Sequence, residues 1–297
     1  MAEKEEELLS PAAVKAALAE WGIKPRKRWG QHFLVRREVL AKITEAAELS
    51  PADTVVEVGP GLGALTARLL EEAGRVVAIE LDPRLEAFLR ARLGGHPRLT
   101  LIRGDALKCD FDLLVREAGG SYPYKVVANL PYYLTSPLLL RLLTSSWHIS
   151  LMVLMLQREV ALRLLASPGT KEYGSLSLLV QYYTSPSLVT FVPRHSFYPP
   201  PEVDSAVVRL EVRAHPPVEV GDESIFFGVI RAAFAKRRKT LLNALASSSL
   251  GLSKEDWQRL LAEVGVDPGR RGETLSLEEF ARIARRLQSN STCGEKP

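Results

Sequence analysis

Thr54-Val55-Val56-Glu57-Val58-Gly59-Pro60-Gly61-Leu62-Gly63 is the stretch on which the fold turns. A run of β-forming residues stops at three glycines set at alternate positions, and a helical pattern follows. Glycines here let the backbone turn tightly and let a ligand approach without a Cβ in the way. A dinucleotide fingerprint places its third glycine at position 64, where Ala64 stands, although that form tolerates alanine. The spacing therefore leaves a dinucleotide and another nucleoside ligand both open, with a plain strand-to-helix turn as the bland alternative. Glu57 is less usual for a dinucleotide enzyme.

Outward from this stretch the pattern repeats. Residues 76–79, 99–103, 124–128 and 151–157 are further short apolar runs rich in Val and Ile, spaced by about 20–27 residues of mostly helical pattern. Strands alternating with helices imply a parallel, doubly wound sheet, and runs this continuously apolar suit strands buried on both faces. Residues 188–192 and 206–212 read as two more strands joined by a proline-rich loop, an antiparallel addition at one side. Upstream, Ser10-Pro11 reads as an N-cap with proline at the first helical position, opening a helix to about Glu20. Next come Lys24-Pro25-Arg26-Lys27-Arg28-Trp29-Gly30-Gln31-His32-Phe33-Leu34, basic with aromatics, and another helix. Around Ala214-His215-Pro216-Pro217 the pattern breaks. Beyond it only helical segments remain, at 224–246, 254–263 and 277–287, ahead of a polar tail after Gln288. The expected division is an α/β domain over residues 1–216 and a small all-helical domain over 217–297.

The bulk numbers fit this. The 297 residues are 46% hydrophobic and 25% charged, with a formal net charge of +4. That is an ordinary globular composition with a modest basic bias, compatible with nucleic acid. Cys109 and Cys293 have neither metal-ligand nor disulfide-framework spacing, which suits a reduced, cytoplasmic setting. The first ten residues are acidic and unlike a signal peptide. No apolar run is long enough to predict a membrane span.

Two acids follow the glycines at successive strand ends. Glu80 closes the second strand, where a carboxylate can accept hydrogen bonds from both ribose hydroxyls. Asp105 follows the third strand and could accept from an adenine amino group, or simply cap a helix. Together they suit a ligand carrying ribose and adenine but no phosphate. The fourth strand ends in Asn129-Leu130-Pro131-Tyr132, whose chemistry is more specific. An exocyclic adenine amine is a poor nucleophile because its lone pair is delocalised into the ring. Two oxygen acceptors, the Asn129 side chain and the Leu130 backbone carbonyl, can hold its two N–H groups and expose the lone pair to a methyl sulfonium. Pro131 keeps the residue before it extended, and Tyr132 can stack on the base, worth roughly 1–3 kcal/mol.

These residues resemble the small-subunit ribosomal RNA adenine dimethyltransferase family. The matching motifs are Gly30-Gln31-His32-Phe33-Leu34, the glycine loop with Glu57, Gly104-Asp105, Asn129 to Tyr132, and Met155-Leu156-Gln157-Arg158-Glu159-Val160. Tyr173-Gly174 with Ser177, Phe197-Tyr198-Pro199-Pro200-Pro201-Glu202-Val203-Asp204-Ser205, and Phe234 with Arg237-Arg238-Lys239-Thr240-Leu241 and Asn243 extend the match over nearly the whole chain. The resemblance implies a Rossmann-like class I methyltransferase domain with a mostly parallel seven-stranded sheet, followed by the helical domain. It implies S-adenosyl-L-methionine as cofactor, contacted by His32, Leu34, Gly59, Gly61, Glu80, Asp105 and Asn129. The target adenine would be held by Asn129, Leu130 and Tyr132, with Phe197 closing over its other face. The substrate implied is a pair of adjacent adenosines near the 3′ end of 16S rRNA, within the small ribosomal subunit or its precursor. The expected enzyme is a cytoplasmic monomer with no metal and no membrane partner. Many members carry Asn where His32 stands and Asn where Tyr133 stands. Macrolide-resistance methyltransferases of large-subunit rRNA resemble the chain too, but typically carry Ser at position 60 and Ile at position 130, and lack the proline run 199–201.

Lys27 and Arg28 in one domain, and Lys236, Arg237, Arg238 and Lys239 on a predicted helix of the other, are candidate phosphate contacts, with Arg270-Arg271 and Arg285-Arg286 behind them. Charge runs are often just solvated helix faces. Two rival readings remain. A nicotinamide-dependent dehydrogenase would need a His or Lys acid after the fourth strand, and none is there. A non-catalytic assembly factor fits everything except the intact tetrapeptide at Asn129.

Overall fold

The computed structural model describes residues 8–26, 29–236 and 238–293. They form two compact units, one of the described residues up to 161 with 185–212, the other of 162–184 with the described residues from 213 onward.

The first unit is built on one seven-stranded sheet. In chain order its strands are β2 (Thr54–Val58), β3 (Arg75–Glu80), β4 (Leu99–Arg103), β5 (Tyr124–Asn129), β6 (Ile149–Gln157), β7 (Thr184–Val192) and β9 (Ser205–Val212). Their spatial order is β4-β3-β2-β5-β6-β9-β7. The first five run parallel, and β9 lies antiparallel on β6. All five residues of β2 are buried, as a strand covered on both faces requires. On one face the helices α2 (Arg37–Ala47) and α3 (Ala64–Glu72) pack Leu40, Ile43, Leu65 and Leu69 against Val55, Val127, Val153 and Val207. The helix α1 (Pro11–Glu20) starts where the Ser10 hydroxyl accepts the Ala13 N–H. It buries Val14 and Leu18 with Leu62, Leu85 and Phe88, each aliphatic side chain contributing roughly 2 kcal/mol.

A second, two-stranded sheet is not legible in the sequence. The dipeptide strands β1 (Phe33–Leu34) and β8 (Phe197–Tyr198) pair antiparallel, Phe33 opposite Tyr198 and Leu34 opposite Phe197. No local pattern marks so short a strand, because its partner is distant in sequence.

The remaining helices of this unit are α4 (Pro83–Leu93), α5 (Phe111–Glu117) and α6 (Thr135–Thr144), and α7 (Arg158–Leu165) runs on from β6 into the second unit. The second unit contains α8 (Ser175–Tyr183), α9 (Glu223–Phe234), α10 (Leu241–Ala246), α11 (Lys254–Glu263) and α12 (Leu277–Cys293). Two expectations are corrected here. The helical unit reaches back before residue 217, because Tyr173, Leu178 and Tyr182 are buried in one core with Phe226, Trp257 and Phe280. The expected helix over 224–246 is two helices. The Thr240 hydroxyl accepts the Asn243 N–H and starts α10 afresh, so Lys236, Arg238 and Lys239 sit in the turn between α9 and α10.

Candidate active site

One cavity opens where the parallel strands end. Its lining includes His32, Leu34, Gly59, Gly61, Glu80, Asp105 and Asn129, together with Glu57, Gln31 and Tyr133. The cavity thus gathers all seven residues expected at a cofactor, from five separate segments of the chain. Leu130, Tyr132 and Phe197 lie outside its wall.

The glycine loop is shaped by what crowds it. Gly61 has φ +60°, and a Cβ there would stand 3.2 Å from the Phe33 ring. The loop N–H of Gly61 donates to Glu80 Oε2 at 3.1 Å, and the Asp82 N–H donates to Glu80 Oε1 at 2.8 Å. Each Glu80 oxygen is therefore fixed by one amide and keeps lone-pair capacity toward the cavity. Burial pushes the Glu80 carboxyl up to about 7, with the nearby Asp82 charge adding to it against the pull of those amides. Asp82 is itself buried, yet the Arg84 guanidinium and the Gln31 amide hold it down to about 2. Glu57, 1% exposed, is pushed up to about 8 by burial and by the Glu80 charge. Its Oε2 is buried without a hydrogen-bond partner. Asp105 lines the cavity and its Oδ1 accepts the Leu107 N–H at 3.0 Å, closing a turn, whereas the cap of the helix that follows is Asp110.

Asn129 is the last residue of β5. Its Nδ2 donates to the His32 carbonyl at 3.3 Å. A carbonyl can only accept, so the nitrogen must face His32, which leaves Oδ1 as the acceptor for a ligand. The Leu130 N–H donates to the Met155 carbonyl at 3.0 Å, which anchors the tetrapeptide to β6. The Tyr132 hydroxyl shares a hydrogen bond with Ser205 Oγ at 2.9 Å. Gly30, at φ +59°, allows the N-terminal segment to pass this point; a Cβ there would lie 3.1 Å from the Tyr132 backbone nitrogen.

His32 has a further side-chain role that the sequence did not suggest. Its Nδ1 lies 2.7 Å from the Pro199 carbonyl, and its ring stands 5.8 Å from that of Tyr132. One residue thus touches Asn129 through its carbonyl, Tyr132 through its ring and the 197–201 loop through its nitrogen. Phe197 is 3% exposed and packs in the core with Leu34 and Leu40, so little of its ring is open to a ligand. Gln31, donating to Asp82 Oδ2 at 3.0 Å, and Tyr133 on the cavity wall were given no site role from sequence, Tyr133 being noted only as a departure from the family. Tyr133 follows directly on the tetrapeptide, the one local signal that could have found it. Its hydroxyl is pushed up by burial and by the Asp105 and Glu80 charges.

Of the basic candidates, Lys27, Arg28 and Arg237 lie outside the described residues. Lys236, Arg238 and Lys239 are exposed and form no ion pair among the described residues. Arg270, Arg285 and Arg286 are instead paired to Glu279, Glu278 and Glu263, which makes them poor phosphate contacts. Among the described residues no helix is long and apolar enough to cross a membrane.

Known proteins share this fold. The Ribosomal RNA small subunit methyltransferase A of Pelotomaculum thermopropionicum is 56% identical over 281 residues, covering 93% of this chain and 95% of the relative. The crystal structure of a dimethyladenosine transferase from Plasmodium falciparum superposes with a TM-score of 0.76 at 26% identity, covering 88% of this chain and 98% of that one. That of the 23S rRNA methyltransferase ErmE gives 0.66 at 29% identity, covering 86% and 99%. The fold is that of a class I methyltransferase. The Ribosomal RNA adenine dimethylase model matches residues 22–289, taking in the glycine loop, the Asn129 tetrapeptide and most of the helical unit. The chain therefore belongs to the ribosomal RNA adenine dimethylase family.

Proposed function

We propose that the chain uses S-adenosyl-L-methionine to dimethylate the N6 amines of two adjacent adenosines near the 3′ end of 16S rRNA, as a step in small-subunit biogenesis in the cytoplasm. The observation that carries this is Asn129, a residue of the cavity wall whose Nδ2 is engaged by the His32 carbonyl, which leaves Oδ1 free to accept. The full-length likeness to small-subunit methyltransferases supports the choice of RNA, as do Pro60, Leu130 and the Pro199–Pro201 run.

The cofactor fits the residues present. Glu80 has lone pairs left for ribose hydroxyls, and Asp105 has a free oxygen for an adenine amine. The partnerless Glu57 Oε2 suits an ammonium group deep in the cavity. When bound, the cofactor supplies an electrophilic methyl group at a sulfonium centre. The rest is done by the chain. Asn129 Oδ1 and the Leu130 carbonyl accept the two amine N–H groups and face the positive charge that grows on nitrogen. Tyr132, held by Ser205, stacks on the extruded base. The proton left on the alkylated nitrogen is acidic and needs no strong base. Alignment of amine and methyl is itself a large part of the rate. Lys236, Arg238 and Lys239 are assigned to phosphates, as are Lys27, Arg28 and Arg237 by sequence. The protein acts as a monomer.

Undermethylated 30S subunits incubated with methyl-labelled cofactor test this. Label on two neighbouring adenosines near the 3′ end of 16S rRNA is expected. Label on 23S rRNA, or none on either RNA, would overturn it.

A further inference from the structure

One exposed arginine–phenylalanine pair in the α/β unit has no part in the site described above. Phe191 lies near the end of β7, the edge strand of the sheet, with 45% of its surface exposed. The Arg158 guanidinium sits over its ring, 4.8 Å from the centroid. Water is a poor environment for half a phenyl ring, and an arginine held against it is a surface with both a flat apolar face and a fixed positive charge.

The pair is joined to the base slot by a short run of contacts. The Arg158 N–H donates to the Asp204 carbonyl at 3.0 Å. Asp204 Oδ1 accepts the Arg194 N–H at 2.9 Å. The next residue, Ser205, is the one that holds the Tyr132 hydroxyl. Tyr132, Ser205, Asp204, Arg158 and Phe191 are therefore linked in one short run of contacts, with Ser205 buried within it. Val203, 45% exposed, extends its apolar part. Arg158 and Arg194 are exposed cations with no ion pair among the described residues.

We infer that Arg158 and Phe191 form a stacking platform for the nucleotide that neighbours the adenosine being methylated. The ligand class is a base of single-stranded RNA with its phosphate. Such strands are held by aromatic rings and guanidinium planes together with positive charge. The inference rests on the RNA reading above. With two adjacent target adenosines, one sits on the platform while the other occupies the slot. The platform thereby sets which base enters and favours a second round on the same RNA.

The test compares Phe191→Leu, Phe191→Tyr and Arg158→Gln on undermethylated 30S subunits, with binding of a single-stranded oligoadenylate measured by anisotropy. Phe191→Leu and Arg158→Gln are expected to raise the KM for subunits and to weaken oligoadenylate binding, each about tenfold. RNAs modified at only one of the two adenosines accumulate. Cofactor affinity by calorimetry and Tm stay at wild-type values, and Phe191→Tyr behaves as wild type. Wild-type KM and oligoadenylate affinity in Phe191→Leu and Arg158→Gln would overturn the platform, as would equal damage from Leu and Tyr. If Phe191→Leu folds poorly, Arg158→Gln decides alone by the same readouts. Failure of the unaltered protein to methylate 16S rRNA would instead sink the functional reading, and the oligoadenylate comparison still judges the platform.

Discussion

The cofactor wall and the base wall of the site meet at Asn129 but are assembled on different plans. The first is made at the ends of adjacent parallel strands, where loop amides hold the Glu80 carboxylate and glycines leave room. The second is stitched from distant segments by side chains: His32 to Pro199, Asn129 to His32, Tyr132 to Ser205. A wall set by backbone geometry tunes affinity. A wall set by side-chain clasps tunes the alignment of the reacting atoms, and hence rate.

The largest expected effect tests that division at the shared residue. Asn129→Ala should cut single-turnover methyl transfer by about a hundred- to a thousandfold, the scale of losing one hydrogen-bonding group aimed at a transition state. Cofactor affinity by calorimetry should stay within about tenfold, or 1.4 kcal/mol. Equal losses in both measurements would erase the distinction. On the cofactor wall, Glu80→Ala should do the reverse. Affinity drops roughly 10- to 100-fold, in line with about 1.5–3 kcal/mol for hydrogen bonds to a charged group, while the rate at saturating cofactor stays within a few fold. An unchanged calorimetric Kd would refute the ribose role.

The third effect arises from the buried acids that only the cofactor wall contains. Glu57 and Glu80 have folded values near 8 and 7 against an ordinary value of 4.5. The folded protein thus keeps protons that the unfolded chain releases. Their contribution to stability is full below about pH 4.5 and is lost as pH rises through 7 to 8. Glu57→Gln should flatten that decline in the cofactor-free protein, raising Tm at pH 8 by roughly a few degrees. Parallel Tm–pH curves for the two proteins would count against it. The smallest effect belongs to the base wall. Tyr132→Phe keeps the ring but loses the Ser205 bond, worth about 0.5–1.5 kcal/mol. A two- to tenfold fall in kcat with unchanged cofactor affinity is expected in steady-state assays.

The same contrast explains what could be read before folding. Glu57 to Gly63, Glu80 and Asp105 sit at strand ends, so a pattern of apolar runs places them without tertiary information. The strands β2 to β6 were legible for the same reason, being continuous and buried. Phe33–Leu34 was not, because a two-residue strand has no period and owes its shape to Phe197–Tyr198. The side-chain job of His32 was hidden with it. In the helical unit, Tyr173 and Tyr182 carry no sign in their own neighbourhood that they belong with Trp257 and Phe280. The end of α9 at Phe234 is concealed by residues that all tolerate helix, and only the Thr240 cap betrays the break.

The clasp between His32 and Pro199 joins residues 167 apart in the chain. Every residue lining the cofactor cavity lies between Leu8 and Leu134. A ribosome making this protein therefore releases the whole cofactor lining well before it reaches Pro199 and Ser205. Joining the two ends also carries the loop-closure cost of a long intervening segment. The base slot closes last. A chain that ends before Pro199 lacks the clasp on His32, so the alignment of the base is completed only after the cofactor lining has been made.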